Sequence, residues 1–381
     1  MNLQPIAGLL KVVRMPANAL PAFIAQTHKS PDLGQLCMQM FYALLAMGQR
    51  DFALEMQARA LALQRLYRLA GPEQPAIRLL ALMAPGDLLD NTPIEFLIEH
   101  GDIQLDLLYL LPGQPLPTDI PEHDVLMVAV GESDKNRPLL EQARALLTDW
   151  PQPVLNPAQA IMHCARDTAY QLLHDIPGLV MPMTQRLARA QIRWPHFALT
   201  IRPVDTQGGT GLEKIETQAG LDAYFERHGG TDYFVAHYVD YQDHDGLFRK
   251  LRIALIAGEP FICHVAISDH WMVHYLSAGM ELGAEKRAEE AQTMENFDQA
   301  FGVRHGAALR TIAQRLGLDY VVLDCAQTRD GRLLLFEVDS RAWVHSTDDA
   351  ALFPYKPAVM QKAYDAFRAL LWQRMDQRRR K

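Results

Sequence analysis

The sequence predicts an α/β protein that becomes α+β in its C-terminal part, and three patterns predict it. Leu36, Met40, Leu44 and Leu45, then Phe52, Met56, Ala60 and Leu63, recur at helical spacing on either side of Gly48, as in a helical hairpin. Mainly apolar runs at Ile77 to Met83, Leu105 to Leu111 and Val125 to Val130, interrupted only by Arg78 and Asp106, alternate with helix-like stretches, the signature of a small parallel sheet covered on both faces. Further on, short apolar runs are joined by Asp245-Gly246, Gly258-Glu259 and Asp330-Gly331, which read as turns between antiparallel strands.

A chain of 381 residues, 49% hydrophobic and 22% charged, is long enough for two or three domains. Its net charge of −8 argues against binding nucleic acid through overall charge, while leaving room for a local basic groove around an anionic ligand. The four cysteines, Cys37, Cys164, Cys263 and Cys325, are far apart and form no CxxC pair. With no signal-like start and no apolar stretch long enough for a bilayer, the expectation is a reduced, cytoplasmic protein with no membrane contact. The basic run Arg378 to Lys381 reads as a solvated tail.

Taken in order, residues 1–72 form the helical module. FYALLAMGQRDFALEMQARALAL resembles one tetratricopeptide-like unit, and no second copy follows. Its Met-rich stripe suits core packing or a docking surface for a protein partner. Residues 73–155 form the parallel α/β domain, whose Asn91-Thr92-Pro93 follows the first strand. That position suits a ligand group at a strand end, or equally a capping pair that opens a helix at Pro93. Asn156-Pro157 caps another helix, and Arg166-Asp167 leads into Tyr170 to His174. A strand, Ala198 to Arg202, then feeds the loop Thr206 to Gly211, in which Gly208, Gly209 and Gly211 could turn backbone N–H groups toward phosphate oxygens. The loop lacks the GK[ST] ending of a Walker A motif. On the strand Phe248 to Ile256, alternation sets Lys250 and Arg252 on one face, as a cationic stripe for an acidic ligand or as a solvated face. His264, His270 and His274 crowd near Asp269 and Trp271 without metal-site spacing, which suits substrate contacts or structural hydrogen bonds. Ala284 to about Phe301 reads as a polar helix or lid.

The richest stretch is Gly317 to Ser346. Two apolar runs, Tyr320 to Leu323 and Leu333 to Val338, flank the Asp330-Gly331 turn as a β-hairpin. Pairing brings Asp324 near Glu337 and Asp339, which share one face of their strand, while Phe336 and Val338 point to the core. Three converging carboxylates repel one another unless a cation lies between them, and hard oxygen ligands suit Mg²⁺. A solvated acidic face is the plain alternative.

The order of these features, from parallel domain through Arg166, Arg202, glycine loop, RKLRI strand, Asp324 and the ExD pair, resembles the ATP-grasp superfamily over about residues 73–372. Within it the layout is similar to ribosomal-protein glutamate ligases and D-alanine:D-alanine ligases. The resemblance implies a pre-ATP-grasp domain at 73–155 and a two-subdomain ATP-grasp fold at 156–381, with a small subdomain at about 180–240 and a large one at about 241–372. It implies ATP and Mg²⁺ as cofactors, and a carboxylate phosphorylated to an acylphosphate that an amine attacks. By the same resemblance Asp324, Glu337 and Asp339 take metal positions, Asp339 standing where Asn is usual. Arg166 and Arg202 stand where lysines usually contact the phosphates, Lys250 joins them, Gly208, Gly209 and Gly211 cover the phosphates, and Arg252 neutralises the phosphoryl in transfer. Other readings of these residues are phosphotransfer without an amine acceptor, and a nucleotide-binding scaffold suggested by the two arginines. A homodimer is open on the sequence.

Overall fold

The computed structural model of the chain describes residues 3–16, 18–27, 32–99, 101–193 and 197–379. Pro31 of the helical module, His100, and Arg380 and Lys381 of the basic tail lie outside them. Among the described residues no helix is long and apolar enough to cross a membrane.

The N-terminal part carries β1 (Pro5–Ile6), α1 (Leu9–Val13), α2 (Leu20–Thr27), α3 (Leu33–Ala46), α4 (Arg50–Leu63) and β2 (Leu66–Leu69). Helices α3 and α4 form the expected hairpin, and Asp32 caps α3 by accepting from Gln35 N–H at 3.0 Å. The two strands differ from the all-helical expectation. β2 pairs antiparallel with β4 of the following sheet and parallel with β1, so the helical segment is stitched to its neighbour. Runs of two and four residues are too short to show strand alternation in a sequence.

The parallel sheet continues with β3 (Ile77–Met83), β4 (Ile103–Tyr109), β5 (Val125–Val128) and β6 (Val154–Leu155), in the order β1-β2-β4-β3-β5-β6. Its connecting helices are α5 (Ile94–Leu97) and α6 (Arg137–Leu146). After α7 (Ala158–Ile161) and α8 (Arg166–Leu173) the chain gives β7 (Leu179–Val180) to a later sheet. It then builds a small four-stranded sheet from β8 (Thr184–Ala188), β9 (Leu199–Pro203), β10 (Glu213–Ile215) and β11 (Asp232–His237), covered by α9 (Gln218–Arg227). This layer has its own core of Leu199, Ile201, Leu221, Tyr224, Tyr233 and Val235.

The last sheet, in order β13-β12-β14-β15-β7, joins β7 to β12 (Phe248–Ile256), β13 (Glu259–Ser268), β14 (Tyr320–Gln327) and β15 (Leu333–Asp339). Helices α10 (Ala284–Glu295), α11 (Phe301–Leu316) and α12 (Lys356–Arg379) complete this part. Gly317, at φ +68°, ends α11 in a left-handed conformation that only glycine adopts without strain. Asn156 does not cap α7 as expected. Its side chain donates to Tyr320 carbonyl at 2.8 Å and accepts from Tyr320 N–H at 2.9 Å, tying the parallel domain to the start of β14.

Candidate active site

The site lies where the small sheet faces the large one. Asp324 on β14 stands directly across from Glu337 on β15, and Asp339 lies opposite Val322. Each of the three carboxylates is met by a cation. Asp324 accepts from Lys250 Nζ at 3.0 Å and from Arg252 Nε and Nη2 at 2.9 and 3.1 Å. Glu337 Oε1 lies 2.7 Å from Arg166 Nη2, and Asp339 accepts from Arg341 Nε at 3.1 Å and from its backbone N–H at 2.8 Å. The three converging carboxylates therefore form a charge-paired network. Among the described residues no group of three or more His, Cys, Asp or Glu side chains is arranged to hold a metal ion by itself. Carboxylates held this far from water need countercharge close by, and β12, α8 and the turn after β15 supply it.

Two bulges shape the site. Between β14 and β15 the register skips Phe336, and between β12 and β13 it skips Cys263. A bulge re-aims side chains, so Phe336 and Glu337 both line the cleft instead of facing opposite ways, as do Cys263 and His264. Phe336 packs against the core as expected and also lines the cleft, its ring tilted against that of Tyr241 at 4.9 Å.

Burial alone would raise the Asp324 carboxyl, but Arg252 and Lys250 outweigh it and hold the group well below the usual carboxylate range. Glu337 is likewise lowered against burial, by Arg166 and Arg202. Arg202 is also pulled down, to about 10, but here by burial itself, with neighbouring Arg166 adding to it. The two guanidiniums have Glu337 as their shared anionic neighbour. Arg202 donates from Nε to Thr206 Oγ1 at 3.1 Å and from Nη2 to the Thr206 carbonyl, so it also fixes the base of the glycine loop.

The cleft encloses about 1200 Å³ of empty space including its mouth. One part is apolar and aromatic, with Met181, Val239, Tyr241, Trp271 and Phe336. The other is charged, with Arg166, Arg202, Lys250, Asp324 and Glu337. Gly208 and Gly209 line it at φ +61° and +79°. Gly211 does not line it. A Cβ there would meet Pro203 Cδ at 2.7 Å, and its carbonyl accepts from Tyr224, so this glycine serves the turn. Trp271, His264 and His274 face the cleft, whereas His270 accepts from Met272 N–H at 3.2 Å and packs on Trp271. Helix α10 is held down and is not a free lid. Its buried Glu290 accepts from Val265 N–H at 3.0 Å and from the hydroxyls of Tyr275 and Tyr355.

Arg341, His345 and Asp348 also line the cleft and escaped the sequence reading. A signal existed for Arg341, a cation two residues after a carboxylate, but its second partner, Leu89 carbonyl at 3.1 Å, is 252 residues away.

No protein-family model and no curated protein matches the chain. Solved structures do. The D-alanine-D-alanine ligase from Coxiella burnetii superposes with a TM-score of 0.50 at 10% identity, over 80% of this chain and 96% of that one. The chain has an ATP-grasp fold. Two further ATP-grasp likenesses are a D-alanine--D-alanine ligase from Bacillus anthracis complexed with ATP (TM-score 0.48, 12% identity, 80% and 99% covered) and a RimK domain protein ATP-grasp from Sphaerobacter thermophilus (0.43, 17%, 77% and 99%).

The residues of this ATP-grasp cleft fit a nucleoside triphosphate. Arg166 Nη2, buried and 2.7 Å from Glu337 Oε1, keeps a guanidinium charge at the cleft wall. The apolar end suits a base. Asp324, Glu337 and Asp339 are oxygen donors of the kind Mg²⁺ takes, each already paired with a cation.

Proposed function

We propose that the protein is an ATP-dependent carboxylate-amine ligase that forms an amide or peptide bond through an acylphosphate. The observation that carries this reading is the cleft itself, with an aromatic chamber at one end and Arg166, Arg202, Lys250, Arg252 and Arg341 around three carboxylates at the other. That cation excess suits a polyphosphate and the charge that builds on a phosphoryl group in transfer.

In this reading Arg166, Arg202 and Lys250 hold the triphosphate, and the backbone at Gly208 and Gly209 closes over it. Magnesium entering with the nucleotide would be held by oxygens of Asp324, Glu337 and Asp339 and would offset phosphate charge. A substrate carboxylate oxygen attacks the terminal phosphorus, and the bond to the ADP oxygen breaks. Arg252, oriented by Asp324 and by the Trp343 carbonyl at 3.1 Å, faces the phosphoryl in transfer. The amine nitrogen then attacks the acyl carbon, phosphate departs with the bonding pair, and the nitrogen loses a proton. Exclusion of water protects the acylphosphate until that step.

The test is ADP release by the full chain with Mg-ATP across panels of acids and amines. A dependence on both co-substrates is expected, and Arg252→Ala should lower turnover by about 10²-fold or more. Turnover that proceeds without any amine, or that survives Arg252→Ala, would refute the assignment.

A further inference from the structure

A separate cavity lies where the helical module meets the parallel sheet. Residues of α1, α3 and α4 face residues of β3, β4 and α5 around it, and it encloses about 540 Å³ of empty space including its mouth. Of its described lining residues only Trp343 also borders the nucleotide cleft. Part of its wall comes from the helical module, which lies outside the stretch of residues 73–372 that resembles ATP-grasp proteins.

Phe41, Tyr42, Phe96, Tyr109 and Trp343 supply aromatic walls. Two carboxylates line the cavity, Asp87 and Glu95. Asp87 is taken by Arg50 Nε at 2.7 Å. Glu95 has no such cation among the described residues, and what bears on its carboxyl is burial and two backbone N–H groups. Those two, of Leu9 and Leu10 at 3.0 and 3.1 Å, use about half of the acceptor positions of a carboxylate. Thr92, 2% exposed, also lines the cavity, and its Oγ1 has no hydrogen-bond partner. The neighbouring amides are already engaged, Gln57 with both backbone groups of Gly86 and Asn91 with both of Ala84. What remains open is a carboxylate without countercharge and a hydroxyl oxygen, set among aromatic rings. Rings attract cations, and the two oxygens accept N–H donors, of which a primary ammonium has three.

We propose that this cavity binds a small primary ammonium compound, its nitrogen on Glu95 and Thr92 and its apolar chain among the rings, as an effector and not as the reacting amine. Trp343 links it to the cleft. The Trp343 ring lies 5.0 Å from that of Phe96, and its carbonyl accepts from Arg252 Nη1 at 3.1 Å. A ligand packed behind Trp343 therefore bears on the placement of Arg252. The binding site stands independently of the ligase reading, and only the link to Arg252 rests on it.

The test uses the full chain with carbon-13 methyl-labelled methionine, the Met83 and Met272 signals assigned by Met83→Leu and Met272→Leu. Met83 lines this cavity and Met272 the nucleotide cleft. n-Butylammonium is the probe and 1-butanol its uncharged counterpart. Without nucleotide, butylammonium should move the Met83 signal saturably and leave Met272 in place. Butanol should bind about tenfold more weakly, and Glu95→Gln should weaken butylammonium about tenfold. If Glu95→Gln does not fold, for want of its hold on α1, Leu88→Trp replaces it. That variant fills the cavity from a half-buried position and should abolish the Met83 response. Equal response to both probes, a response of Met272 in place of Met83, or binding unchanged in the variant overturns the site. Saturating butylammonium should also change the affinity for a non-hydrolysable Mg-ATP analogue about fivefold. Occupancy at Met83 with unchanged analogue affinity overturns the effector role. If the analogue does not bind at all, the ligase reading fails and the effector role with it, while the Met83 response still decides the site.

Discussion

Glu95 shows how far a single buried carboxyl reaches in this protein. It accepts from Leu9 and Leu10 N–H at 3.0 and 3.1 Å and so pins α1 to α5. Burial nevertheless pushes it up to about 7, with the two N–H groups opposing. Glu132, beside the cleft, is also raised to about 7 by burial. A carboxyl raised on folding contributes stability that is fully present below its unfolded value near 4.5 and is lost as pH rises through about 7. Stability should therefore fall between about pH 5 and 8, and Glu95→Gln should flatten that fall by on the order of 2 kcal/mol in denaturant melts. An equally steep fall in the variant would show that Glu95 is not the group responsible.

Among the elements, the turn after β15 depends on the turn after β5. Arg341, 6% exposed, passes so close to Gly131 that a Cβ there would lie 1.7 Å from its Cδ. Gly131→Ala must move the middle of a buried side chain, and with it the partner of Asp339. The variant should lose about 1–3 kcal/mol in denaturation and bind Mg-ATP analogue more weakly. Unchanged affinity would remove Arg341 from the site. Dependences of this kind also mark what the sequence could show. β3, β4 and β5 were legible because each is mainly apolar, and Asp324, Glu337, Lys250 and Arg252 because strand alternation places them. The bulges at Phe336 and Cys263 were not, since nothing in either strand announces an unpaired residue. The pairing of Glu337 with Arg166 was hidden for another reason, because Arg166 arrives from α8, far away in sequence. β2 was too short to show any period.

At the scale of the whole molecule, the loop that leads into the glycine turn is latched to the parallel domain. Asp205 accepts from the backbone N–H groups of Asp134 and Lys135 at 2.9 and 3.2 Å, and Arg186 meets Asp134 at 2.6 and 2.8 Å. These contacts join the small sheet to the parallel sheet's side of the molecule. Asp205→Ala should free the loop and weaken nucleotide binding about threefold to tenfold, with little change in melting temperature. The account as a whole stands on the cleft being a nucleotide site, and calorimetric titration with Mg-ATP tests that most directly. It predicts a saturable heat that Arg166→Ala and Arg202→Ala each weaken, whereas no heat and no thermal shift at millimolar nucleotide would contradict it.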